Sequence, residues 1–180
     1  MTPPEFSRRI ALDTLGEGPR QIAIEADEAE RAALAKRFDL IDVSALMAAM
    51  ALIRSGDAVT ATGRVEAMVT QSCIASGTPV AARIDEPFKL EFRPMPTTTS
   101  PDDEVELGEG DLDVVFHDGA AIDIGEAVAQ SLSLAVEAYP RAPKADAALK
   151  AAGVKDAAQA GPFGALAGLN DKLSGSDRAS

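Results

Sequence analysis

The chain has 180 residues, with 29 Asp and Glu against 17 Lys and Arg, giving a net charge of −12 at pH 7. With 46% hydrophobic residues, 4% aromatics, no Trp and a mean hydropathy of 0.00, it can bury an aliphatic core, and its length fits one domain with a tail. Its longest apolar run, Ala45 to Ile53, stops at Arg54, well short of the ~20 residues that span a bilayer. The first residues lack the apolar stretch of a secretory signal and the single cysteine cannot form an internal disulfide, so the expectation is a cytoplasmic protein that does not enter a membrane.

Phe6, Ile10 and Leu12 share one parity and Ser7, Arg9 and Asp13 the other, the two-residue period of a half-buried strand. Beyond Gly16 and Gly18, Ile22 and Ile24 lie on one face of a second strand. Asp27 followed by Glu30 has capping-box spacing, predicting a helix from about Glu28 to Phe38 with Leu34 and Phe38 inward. From Val43 to Ile53, Leu46, Met50 and Ile53 fit a helical face built from strong helix formers. Val59, Ala61, Gly63, Val65, Ala67 and Val69 then alternate with polar neighbours, as do Val80, Ala82 and Ile84, then Phe88, Leu90 and Phe92. These are two long antiparallel strands joined by a turn over Ala75 to Pro79.

The stretch from Pro94 to about residue 112 has many turn formers and no apolar period, predicting a mobile acidic loop. Asp113 to Phe116 reads as a short strand ending in a His-Asp-Gly turn. Asp123 repeats the capping spacing with Glu126, and an apolar stripe through Val128, Leu132, Val136 and Tyr139 predicts a helix that Pro140 stops. Ala145 to Ala160 is weakly helical, within an Ala- and Gly-rich tail assigned to 151–180, and the domain proper is assigned to 1–150.

Charge is unevenly distributed. Residues 94 to 140 contain 11 acids and no Lys or Arg, whereas 1 to 93 carry 11 bases and 14 acids and 141 to 180 carry 6 bases and 4 acids. A block of one sign repels phosphate, because nucleic-acid affinity comes from Lys and Arg displacing counterions, and it attracts basic partners.

Catalytic patterns are sparse. His117 is the only histidine, so no two-histidine metal set exists, and a carboxylate-based enzyme would have to use Asp123, Glu126 and His117. Asp102, Asp103 and Glu104 lack the ligand alternation of an EF-hand loop. Neither Gly16 and Gly18 nor Gly108 and Gly110 lie between a strand and a helix as a phosphate cradle requires. Cys73 shares the dry parity of Val65 and Val69, so it reads as a buried structural thiol.

Three passages together resemble the bacterial YceD family, also called DUF177, whose members are associated with accumulation of large-subunit ribosomal RNA. The first is Gly63-Arg-Val-Glu-Ala-Met-Val-Thr-Gln-Ser-Cys73, leading through Gly77-Thr-Pro-Val80 to Phe88. The second is Ile122-Asp-Ile-Gly-Glu126 through Leu132 to Tyr139-Pro-Arg-Ala-Pro143, and the third is Gly161-Pro-Phe-Gly-Ala-Leu-Ala-Gly-Leu169. Their order covers roughly residues 1 to 170, and the family layout implies a strand rather than a helix over Val43 to Ile53, a reading adopted here. The family's frequent Cys-x-x-Cys pair is broken by Ser76, so a four-ligand zinc site cannot be assembled from one cysteine and one histidine.

The expectation is therefore an α+β protein, a curved antiparallel sheet or small barrel with two main helices and a C-terminal tail. By resemblance it is a non-catalytic factor of large-subunit biogenesis without a cofactor. Its expected partner is a basic ribosomal protein or ribosome-assembly intermediate, held by the acidic block with Asp123, Glu126 and Glu137, with Tyr139, Pro140, Arg141 and Pro143, and with Phe163 and Leu166 of the third passage as a docking segment, the alternative being that these two and Leu169 pack on the parent domain. The competing route is ribosomal RNA on a patch built from Arg8, Arg9, Arg64 and Arg141.

Overall fold

The computed structural model describes residues 4–16, 18–95 and 113–154. Strand β1 (Arg9–Ala11) leads through a 3-10 turn (Leu12–Thr14) to β2 (Arg20–Glu25) and helix α1 (Glu28–Arg37). Three long strands follow, β3 (Asp42–Ser55), β4 (Ala58–Ser72) and β5 (Pro79–Pro94), then β6 (Asp113–His117), β7 (Ala121–Asp123), α2 (Ile124–Ala135) and α3 (Ala145–Ala151). Mixed α+β content agrees with the sequence reading. Strands β2-β3-β4-β5-β6 form one sheet and β1-β7 a second, and the five-stranded sheet has ends at β2 and β6 rather than closing into a barrel.

One expectation about the sheet needs correction. The sheet is not antiparallel throughout, because β6 joins β5 in parallel, with Phe92 opposite Val115. The segment from Val43 to Ile53, which propensity makes helical, is strand β3, as the family layout implied. Its alternation is hidden by an irregularity between Val43 and Ala45 that moves the buried positions from Val43 to Leu46, Ala48, Met50 and Leu52. A β-bulge adds one residue to one strand, so the parity of its side chains flips across it. Pairing with β2 on one side and β4 on the other then outweighs the preference of Ala, Leu and Met for helix.

One face of the sheet carries the core. Val59, Val65 and Val69 of β4, Leu46 and Leu52 of β3 and Phe92 of β5 are fully buried with Leu34 of α1, Val128 and Leu132 of α2, and Phe6 of the N-terminal segment. At Gly63 the strands approach so closely that a Cβ would lie 2.3 Å from the Ala49 carbonyl oxygen. Helix α1 starts as its capping box predicts, Asp27 Oδ1 accepting from the Glu30 N–H at 2.8 Å and the Asp27 N–H donating to Glu30 Oε2 at 2.9 Å.

Helix α2 is shorter than the apolar stripe suggests. It ends at Ala135, and Val136 is already extended (φ −68°, ψ 133°). A proline ring collides with the carbonyl four residues before it in a continuing helix, and for Pro140 that residue is Val136. Glu137 and Tyr139 consequently lie beyond the helix, Tyr139 73% exposed. The acidic stretch from residue 96 to 112 and the third passage with Phe163 and Leu166 lie outside the described residues. No helix among the described residues is long and apolar enough to cross a membrane.

Candidate functional site

The anticipated site residues fall into two groups. The first surrounds the start of α2, where Asp123 is an N-cap with more to do than cap. Its Oδ1 accepts from the N–H groups of Gly125 (3.1 Å), Glu126 (3.2 Å) and Arg8 (2.8 Å), and its Oδ2 accepts from Ser7 Oγ at 2.5 Å. One carboxylate thereby ties the N-terminal segment to α2. Close approach makes this feasible: a Cβ on Gly125 would lie 2.7 Å from both Arg8 N and Phe6 O.

Glu126 faces a cation the sequence could not pair with it. Arg37, at the end of α1, donates Nη1 to Glu126 Oε2 at 2.8 Å and Nη2 to Oε1 at 2.7 Å, and Gln130 Nε2 donates to Oε1 at 3.0 Å. The Arg37 hydrogen bonds hold the Glu126 carboxyl below its ordinary range against a smaller opposing effect of burial.

A cleft of about 840 Å³ does include His117, Asp118, Asp123 and Glu126 in its lining. Their polar atoms are nevertheless engaged within the fold. His117 is buried, its Nδ1 accepting from the Gly119 N–H at 3.1 Å and its Nε2 within 3.1 Å of the Asp57 carbonyl oxygen, which fixes the proton on Nε2. Asp118 accepts from the N–H groups of Ala120 and Ala121, which lower its pKa, an Asx turn as its place after His117 suggested. These side chains hold turns, a cap and an ion pair, and none is left as an unengaged acid or base.

The second group is the segment that follows α2, which lies against the far end of the β4–β5 hairpin. Gln71 Nε2 donates to the Glu137 carbonyl oxygen at 2.7 Å, the Ile74 N–H to the Pro140 carbonyl oxygen at 3.0 Å, and the Ala142 N–H to Cys73 Sγ at 3.2 Å. Pro140 is buried while Tyr139, Arg141 and Pro143 are exposed, with Arg141 paired to Asp146. Cys73 is buried as expected, and hydrogen bonds led by the Ala142 N–H bring its thiol down to about 7. Among the described residues no three His, Cys, Asp or Glu side chains are grouped to hold a metal ion.

Sequence reasoning missed Gln71, a buried polar side chain that anchors this segment. Its signal was available, since Gln71 stands on the dry parity of Val65, Val69 and Cys73 where a polar residue needs a buried partner.

Each of the arginines considered for an RNA patch faces a carboxylate. Arg8 pairs with Glu30 (2.6 Å), Arg9 with Asp118 (3.7 Å), Arg64 with Asp85 (2.5 Å) and Arg141 with Asp146. Arg37, Arg83 and Arg93 pair with carboxylates as well.

No curated protein and no solved structure matches the chain in comparison. A model of the family described as large ribosomal RNA subunit accumulation protein YceD matches residues 61–170, the portion that runs from β4 through the hairpin end, α2 and the segment after it to the third passage. The match covers more than half of the sequence, and the chain belongs to the YceD family.

Proposed function

We propose that this protein promotes accumulation of large-subunit ribosomal RNA without catalysis, by holding a basic ribosomal protein during assembly of the subunit. The family description supports the role in ribosomal RNA accumulation. The observation that carries the choice of a protein partner is the state of the arginines, since Arg8, Arg9, Arg64 and Arg141 each already face a carboxylate. Exposed ion pairs are weak and exchange readily. Yet the carboxylate of each pair remains beside its arginine, so a phosphate approaching the cation also meets an anion. A net charge of −12, with 11 acids and no base between residues 94 and 140, adds long-range repulsion of RNA and attraction of Lys- and Arg-rich proteins.

Under this reading the exposed Tyr139, Arg141 and Pro143, with Glu137, contact the partner beyond the end of α2, Asp123 and Glu126 add negative charge at the start of that helix, and Phe163 and Leu166 extend the contact in sequence. Capture of assembly intermediates on immobilised protein, with and without ribonuclease, tests the choice. A basic ribosomal protein should stay bound after ribonuclease treatment. Loss of all captured protein on digestion would overturn the reading in favour of RNA contact.

A further inference from the structure

Two hollows lie on the face of the five-stranded sheet that looks away from the core. A trough of about 590 Å³ is lined by Ala23, Ala49, Thr62 and Gly63, and a second hollow of about 200 Å³ adjoins it at Met47 and Glu66 and runs to Ala45 and Met68. Met47 and Met68 are each 42% exposed there. Thioether side chains beside a floor of small residues leave apolar surface in water, and a covering apolar segment would remove it. The charged side chains in the two linings are Glu25, Glu66, Arg64 and Arg83, two of each sign. Arg64 also meets Asp85 at 2.5 Å, and Arg83 lies 3.3 Å from Glu66. Nothing in this balance draws in a strongly basic or acidic segment, so a neutral apolar occupant suits it.

The chain itself contains such a segment. Gly161-Pro-Phe-Gly-Ala-Leu-Ala-Gly-Leu169 has no Asp, Glu, Lys or Arg, and Phe163, Leu166 and Leu169 recur at the spacing of one helical face. It lies outside the described residues, which end at Val154. The last described part of the chain starts from the hairpin end: the Ala142 N–H binds Cys73 Sγ, and Ala145, the first residue of α3, is buried. From there α3 is only ~10 Å long, and Met68 stands ~13 Å along β4 from Ser72 at the strand's end. Residues 155–162 span up to ~26 Å when extended, enough to bring Phe163 to the hollow beside Met68. The family match, from Ala61 in β4 to residue 170, takes in both the strand beneath the hollows and this segment.

We infer that in the free protein the segment 161–169 folds back onto this outer sheet face, Phe163 entering the hollow beside Met68 and Leu166 and Leu169 following the trough past Met47 toward Ala49. This placement concerns the chain without a partner and so goes beyond the basic-protein reading; a partner that takes Phe163 and Leu166 competes with the sheet for them. Tethering favours the chain's own segment over a free peptide of like chemistry, because a short linker gives an effective concentration of about millimolar. A second copy is disfavoured as occupant because each copy carries −12.

Methionine oxidation by dilute peroxide, read residue by residue by mass spectrometry on the full chain, tests this placement. In the double variant Phe163→Ser, Leu166→Ser, Met47 and Met68 should oxidise about tenfold faster than in the parent, since the open form of a filled seat is populated to ~10% or less. Met95, 63% exposed and outside both linings, should keep its rate. Ala49→Arg fills the trough from an exposed position without entering the core, and should free Met68 in the same way. In the parent, nuclear Overhauser contacts should join the Phe163 ring to the Met68 methyl. Equal oxidation of Met47 and Met68 in parent and double variant would overturn the inference. Phe163 contacts to Leu134 and Phe88, which line a separate opening of about 460 Å³ between α2 and β5, would overturn it as well. Protection that disappears on dilution would assign the face to a second copy, again against the inference.

Discussion

Asp123→Ala separates a structural carboxylate from a functional one. In the parent, Oδ1 receives two N–H groups of the first turn of α2 and the N–H of Arg8, and Oδ2 receives Ser7 Oγ. Loss of an N-cap costs about 1 kcal/mol. The half-buried Arg8 N–H adds a further cost of about 1–2 kcal/mol, toward the low end for an orphaned donor because water can reach it. The expected loss is therefore about 2–3 kcal/mol, roughly 4–12 °C in melting temperature for a domain of this size. Two further substitutions divide that loss. Asp123→Asn keeps one acceptor oxygen and should cost least, whereas Asp123→Ser can still cap α2 but is too short to hold Arg8, so it should fall between Asn and Ala. Thermal and urea melts of the three variants check the order. A parent-like melt of Asp123→Ala would refute the reasoning, and lost partner capture at unchanged stability would make Asp123 a binding residue instead.

Gly63→Ala should destabilise the fold by about 3 kcal/mol or more, because the added methyl meets the Ala49 carbonyl oxygen at 2.3 Å, while Gly18→Ala, with nothing within 4 Å, should be near neutral in the same melts. Glu126 has its pKa lowered by Arg37, so its stabilisation is complete above its unfolded value of about 4.3 and is lost as pH falls through the lower folded value. The gap between parent and Glu126→Gln, under about 1 kcal/mol after solvent screening, should close on acidification, and a gap constant from pH 7 to 3 would contradict the pairing. Elemental analysis of purified protein should find no stoichiometric zinc and a chelator should leave the melt unchanged, one zinc per chain being the contrary result. Replacing Asp102, Asp103, Glu104 and Glu106 by amides should weaken capture of a basic ribosomal protein, mainly through a slower on-rate, with an effect that shrinks as salt rises. Unchanged protein capture with tighter RNA binding would reverse the choice of partner.

What could be read in the sequence was local. Asp27 with Glu30 announced α1, Asp123 with Glu126 announced the start of α2, and the alternation from Val59 to Val69 announced β4, because each depends on neighbours within one turn or one strand. Strand β3 was obscured by its irregularity near Val43 and by helix-forming residues, so its identity came from the family resemblance rather than from periodicity. The parallel pairing of β6 with β5 carries no local signature, since the segment Asp113–His117 would alternate alike in either direction. Nor could the sequence show that Glu126 meets Arg37, 89 residues away, or that the arginines of the expected RNA patch would be taken up by separate carboxylates. Side-chain pairing across elements is a property of the packed sheet and helices.

The hairpin end and the proline-bounded segment show how two separate motifs become one object. Tyr139-Pro-Arg-Ala-Pro143 contains two residues without an N–H, so it cannot add to the sheet as a regular strand. Its remaining polar backbone groups need partners that a strand ladder would otherwise supply. Gln71 reaches the Glu137 carbonyl, the Ile74 N–H reaches that of Pro140, and Cys73 Sγ receives the Ala142 N–H, all from the last residues of β4 and the turn beyond it. A cysteine at this position thus has a physical purpose independent of any metal, because sulfur can accept a hydrogen bond at the 3.2 Å separation found here and its buried setting leaves it no competing partner in water. The same three bonds hold Tyr139 and Arg141 outward at a fixed place beside α2. The strand end that carries the first family passage thereby positions the exposed residues of the second.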